Sequence, residues 1–170
     1  MGQSISEQAD TLPCDEPAVE KFCRYARGRV DHFAKRQVLT LIGSGLLAFT
    51  ASPLVGLGVC VIALLGELVD CLSLRNQLDA IGRGGSFKTA TLVSIASAAF
   101  QACTIGICVL SAVTLPPDGM GLYFGLVFLM SAALNAGLVW PLHRPSAQSR
   151  LVVYALTLTL VSVLQISDAQ

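Results

Sequence analysis

Residues 36–75 read RQVLTLIGSGLLAFTASPLVGLGVCVIALLGELVDCLSLR. No side chain is charged from Gln37 to Gly66. As one helix the apolar part, about 35 residues, would measure about 52 Å at 1.5 Å per residue. The hydrocarbon core of a bilayer is only about 30 Å thick. Ala51-Ser52-Pro53 stands near the middle, and proline removes a helix donor and collides with the preceding turn. The stretch therefore reads as two helices, about Arg36–Ala51 and Leu54–Leu74. They form either two short spans or a re-entrant hairpin that never reaches the far side.

Three more apolar runs follow, about Thr89–Leu115, Gly121–Leu142 and Leu151–Ile166, then a tail at residues 167–170. Pro116-Pro117-Asp118-Gly119 is a strong turn signal between the first two. Trp140-Pro141 and His143-Arg144-Pro145 separate the last two. Of 170 residues, 54% are hydrophobic and 13% charged, and the mean hydropathy is +0.68. A disordered chain needs the opposite composition. A soluble domain this small could not hide so much apolar surface. The expected fold is all-α, a polytopic transmembrane helix bundle of about five spans. Lys+Arg 11 balances Asp+Glu 11, leaving no excess to neutralise phosphates, so nucleic-acid binding is excluded.

All the basic residues fall in three clusters: Lys21 to Arg36, Arg75 to Lys88, and Arg144 with Arg150. With residues 36–74 folded as a hairpin, all three lie on one side of the membrane. The positive-inside rule makes that side cytoplasmic, so the expected location is the inner (plasma) membrane with the N-terminus inside. Five spans would leave the C-terminus outside, which leads us to expect a sixth helix in a longer chain.

Residues 1–15 read as a disordered tail. Over residues 16–35, Val19, Phe22, Cys23, Ala26, Val30, Phe33 and Ala34 recur at helical spacing with bases on much of the other face. That pattern predicts a short amphipathic helix, lying on the anionic leaflet or leading into the first span. The six cysteines make no C-x-x-C pair and no zinc spacing with histidine. They read as small apolar filler, with no metal and no cofactor expected.

No catalytic constellation stands out. Gly82 to Lys88 fails the phosphate-loop template, because Phe87 occupies the place of a required glycine. Gly82 or Gly84 reads instead as a helix C-cap, and Ser86 as an N-cap. The unusual pair is Glu67 and Asp70, carboxylates inside an apolar run and three residues apart. Such groups are costly in lipid and mark functional sites by default. They are candidates for a cation or proton site with Gln101 or Asn135 from facing helices. The competing role is interfacial, pairing with Arg75. Helix packing is expected at Ser94, Ala98, Ala102 and Gly106, at four-residue spacing, and at Gly121 and Gly125. Small residues there let backbones approach in lipid, giving a compact bundle or a homodimer.

Residues 36–40 (RQVLT), 51–58 (ASPLVGLG) and 66–75 (GELVDCLSLR) resemble the N-terminal multi-span region of bacterial sensor histidine kinases. The resemblance implies an input and anchoring module ahead of a cytoplasmic kinase core. The phosphoacceptor motif and the ATP site are absent from these residues, so the module is non-catalytic. Its partners would be the bilayer, a second copy and a cytoplasmic signalling domain. The alternative is a stand-alone multi-span protein, a transporter or a membrane-complex assembly factor. The absence of internal repeats and the scarcity of mid-span polar residues argue against transport.

Overall fold

The computed structural model describes residues 17–50, 52–115 and 120–168. The expected N-terminal tail and the Pro116–Gly119 turn lie outside the described residues. Six helices follow one another: α1 Pro17–Asp31, α2 Phe33–Thr50, α3 Pro53–Gly82, α4 Phe87–Thr114, α5 Met120–Val139 and α6 Arg144–Asp168. The described residues contain no strand.

The break expected near residue 52 has a local cause. Ser52 is extended, and its hydroxyl accepts from the Val55 backbone N–H at 3.2 Å, while Pro53 occupies the first turn. Proline is tolerated there because that N–H has no helical partner. At the other end of α3, Gly84 has φ +84°, a conformation glycine adopts without penalty. The Gly85 N–H donates to the Ala80 carbonyl at 2.8 Å and closes the turn. Ser86 stands at the N-cap of α4 but makes no side-chain cap bond.

Several boundaries differ from the sequence reading: α5 ends at Val139 rather than Leu142, and α6 runs on to Asp168, into the tail expected at 167–170. The helix expected over 16–35 is divided at His32, and Phe33 to Lys35 belong to α2. The last helix begins at Arg144 rather than Leu151, because Pro145 lies in its first turn and starts the helix instead of breaking it. That change carries Arg150 into a helix body.

Helix α4 lies at the centre, packed on α3, α5 and α6, while α2 packs on α3 and only lightly on α5. Ala102, Ile105 and Val109 of α4 join Leu129 of α5 and Tyr154 of α6 in one core. A second core lies where α3 ends and α4 begins: Phe22, Tyr25 and Ala26 of α1 against Leu74 and Ala90. The α1 helix is thus docked on the bundle through its apolar side chains.

The small-residue stripe falls on packed faces. Ala98 and Ala102 are fully buried, and Ser94 meets Ser146 of α6 at 2.8 Å. A Cβ on Gly106 would lie 2.7 Å from Thr157 Oγ1 of α6, and one on Gly125 would lie 3.0 Å from Val113 Cγ2 of α4. Gly121 is buried on α5. A Cβ on Gly56 would strike Ala48, so the α2–α3 hairpin closes only with glycine there.

Polarity is inverted relative to a water-soluble protein. Phe49 is 90% exposed and Leu54 81%, whereas Asp70 is 0% and Arg150 2% exposed. This exterior is compatible with lipid contact. Four helices, α3, α4, α5 and α6, are long and apolar enough to cross a membrane. Helix α2 falls short of that measure. Lys35, Arg36 and Gln37 fill its first turns, leaving about 13 apolar residues, or about 20 Å of helix.

Candidate functional site

The buried charges gather at the α1 end of the bundle. Glu67 and Asp70 lie on one face of α3, three residues apart, as helical geometry requires. Both point inward, at 8% and 0% exposure. Asp70 Oδ2 accepts from Arg29 Nη2 of α1 at 2.6 Å and from Arg150 Nη2 of α6 at 2.8 Å. Its other oxygen accepts from Ser97 of α4 at 2.9 Å. Glu67 Oε1 accepts from Gln101 Nε2 of α4 at 2.7 Å. Glu67 Oε2 faces Arg36 Nη2 of α2 at 3.0 Å and Arg29 Nη2 at 3.7 Å. The Gln101 carbonyl oxygen accepts from Arg150 Nε at 3.0 Å, which closes the network. One amide thus bridges a carboxylate and a guanidinium, and five helices meet at two acids.

Burial alone would lower the Arg29 pKa, but the charges of Asp70 and Glu67 outweigh it and hold the guanidinium above its ordinary value. A buried network of this kind survives only when its members satisfy one another. Three guanidinium groups face two carboxylates, a formal excess of one positive charge. Arg150 Nη1, Arg29 Nε and Arg36 Nε have no hydrogen-bond acceptor among the described residues.

Glu67, Asp70 and Gln101 are therefore brought together. Asn135 is not: it is exposed on α5 and makes no side-chain hydrogen bond among the described residues, although it lines the adjoining cavity. Arg75 is exposed and forms no ion pair with either acid. The partners of the acids are Arg29, Arg36 and Arg150, which sequence reasoning took as markers of orientation or, for Arg29, as part of a lipid-facing basic face. The available signal was that all three basic clusters flank the end of the bundle toward which Glu67 and Asp70 lie.

A second polar chain adjoins the network. His143 Nδ1 and Ser146 Oγ are 2.8 Å apart, and Ser146 in turn meets Ser94. The imidazole stacks on Tyr25, with centroids 5.1 Å apart and planes at 14°, and meets Phe22 edge-on. Burial, with Arg150 nearby, pushes the His143 pKa down to about 4, so the ring is neutral near pH 7.

Between α2 and α5, with α4 as its floor, runs a cavity of about 280 Å³. Arg29, Arg36, Gln101 and Arg150 line one end, and apolar side chains such as Leu46, Val109 and Phe128 line the rest. The described residues hold no cluster of three or more metal-ligating side chains. No protein-family model, no curated protein and no solved structure matches the chain.

Proposed function

We propose that the chain is a non-catalytic membrane module of a bacterial signal-transduction protein, an input and anchoring region of the histidine-kinase type. The observation that carries this reading is the shared carboxylate of Asp70. It ties Arg29 of the N-terminal helix to Arg150 of a membrane helix. A change in bundle packing that moved α3 against α6 would alter the hold on α1. In this reading α1 is the transmitting part, on the cytoplasmic face of the inner membrane. Helix α2 supplies the fifth crossing, completing a hairpin with α3, and a cytoplasmic signalling domain receives the change. All the basic clusters lie at the helix ends nearest α1, which supports that orientation.

The test is the size of the native protein. An antibody against residues 1–17 is applied to membranes of the source organism. A band several times larger than 17.9 kDa is expected. A band near that mass would remove the kinase part of the proposal and favour the stand-alone membrane protein.

A further inference from the structure

We infer that the groove between α2 and α5 binds one anionic lipid chain, with its carboxylate or phosphate head on Arg150, Arg36 and Arg29 and its hydrocarbon tail against α2, α4 and α5. The inference rests on the membrane-embedded part of the proposed function and is independent of any kinase.

Three observations converge on this occupant. The first is charge. Among the described residues, the acids that Arg29, Arg36 and Arg150 face are Glu67 and Asp70, and Glu67 is the one acid lining the cavity. An unbalanced buried cation is expensive in a low-dielectric setting, and one anionic head supplies the missing charge. The second is hydrogen bonding. Arg150 is 98% buried by its 2% exposure, it lines the cavity, and its Nη1 lacks an acceptor among the described residues. The guanidinium fork is shaped for the paired oxygens of a carboxylate or phosphate.

The third is the gradient along the groove. From Arg36 to Leu47 its α2 wall runs about 16 Å, passing from charge to aliphatic side chains. On α4 the wall passes from Gln101 through Ile105 and Val109 to Ala112. An inorganic anion would leave the apolar part unfilled, and a neutral chain would leave the guanidinium groups unpaired. The volume, about 280 Å³, lies near the lower end of the roughly 300–1,000 Å³ of small-ligand pockets. That suits one chain and excludes the bulk of a two-chain phospholipid. Helices α2 and α5 touch only lightly, so the groove has a lateral entrance for a molecule already in the bilayer.

The test uses the full chain in phosphatidylcholine nanodiscs and a palmitate analogue bearing a diazirine on its tail. Labelled residues are mapped by mass spectrometry. Saturable labelling is expected on groove residues such as Leu46 and Phe128, competed by dodecanoate and dodecyl phosphate but not by dodecanol or inorganic phosphate. Arg150→Gln should weaken labelling about tenfold or more, the effect of one lost charge-assisted contact. Should that variant fail to fold, Ala132→Trp fills the tail half of the groove without touching the charges and should abolish saturable labelling. Equal competition by dodecanol would show ordinary lipid contact and overturn the inference. Equal competition by inorganic phosphate would show a site for free anions and overturn it too, as would non-saturable labelling spread over outward residues such as Phe49 and Leu156. None of these outcomes depends on the native chain length, so failure here is distinct from failure of the kinase reading.

Discussion

Asp70 and Arg150 stand 80 positions apart in the chain, yet their side chains meet at 2.8 Å in the interior of the bundle. The same carboxylate oxygen also holds Arg29 at 2.6 Å. One atom therefore joins the helix at the start of the described chain to the helix at its end. Its removal leaves two guanidinium groups with less negative charge than they need.

Asp70→Asn should accordingly destabilise the protein strongly. Deleting one partner of a buried ion pair strands the other, at a cost of about 3–5 kcal/mol. Thermal unfolding in neutral detergent, compared with the wild type, measures this. An unchanged midpoint would mean that Arg29 and Arg150 do not depend on this acid.

Arg29→Gln tests the hold on α1 separately. Phe22, Tyr25 and Ala26 still dock the helix, but its ion pairs to Asp70 and Glu67 are lost. Hydrogen bonds to charged groups contribute about 1.5–3 kcal/mol each. Local opening of α1 should therefore become about ten- to a hundredfold more frequent. Trypsin cleavage at the exposed Lys21 and Arg24 reports it. Cleavage elsewhere, as at the exposed Arg83, should keep its wild-type rate, and cleavage at Lys21 and Arg24 at the wild-type rate would refute the role of Arg29.

The pH response follows from His143. Its folded pKa, about 4, lies below the ordinary histidine value of 6.5. Between those two values the unfolded chain binds the proton more readily than the folded one. Stability is thus full above about pH 6.5 and falls as the pH is lowered toward 4. His143→Phe keeps a ring against Tyr25 and cannot be protonated, so it should flatten this part of the profile. An identical slope in the variant would place the titration elsewhere.

The helical class was readable because apolar runs need no distant information. The break at residue 52 was readable because Ser52 and Pro53 act within one turn. Glu67 and Asp70 stood out because carboxylates are rare in such runs. Their partners did not, because Arg29 and Arg150 reach Asp70 from 41 and 80 positions away, and no spacing rule spans that distance. Arg150 was further hidden by Pro145, which resembles a break yet begins α6. The number of crossings turns on α2, whose apolar length falls between a surface element and a full span.

Gly66 should tolerate no side chain. A Cβ there would lie 2.9 Å from Thr104 Cβ and still closer to its hydroxyl. Overpacking of this kind costs about 1–3 kcal/mol. Gly66→Ala should lower the unfolding midpoint, and adding Thr104→Ala should recover part of the loss. No recovery in the double variant would mean that α3 and α4 do not cross at this pair.

The path of α2 can be settled by labelling single cysteines from each side of sealed vesicles, in a background with the six native cysteines replaced. Positions 79 and 144 lie at the ends of α3 and α6 nearest α1, and position 115 lies at the opposite end of α4. Cysteines at 79 and 144 should react from one side and a cysteine at 115 from the other. Position 52 decides between two short spans and a re-entrant hairpin. Labelling of Ser52→Cys from the same side as position 115 is the expected result, because α3 starts there and its 30 residues exceed the roughly 20 needed to cross. Protection from both sides would instead bury the tip in lipid, so that α2 and α3 enter and leave by the same face. The crossings would then fall to three, α4, α5 and α6, while the three basic clusters would still share one side and the orientation drawn from them would stand.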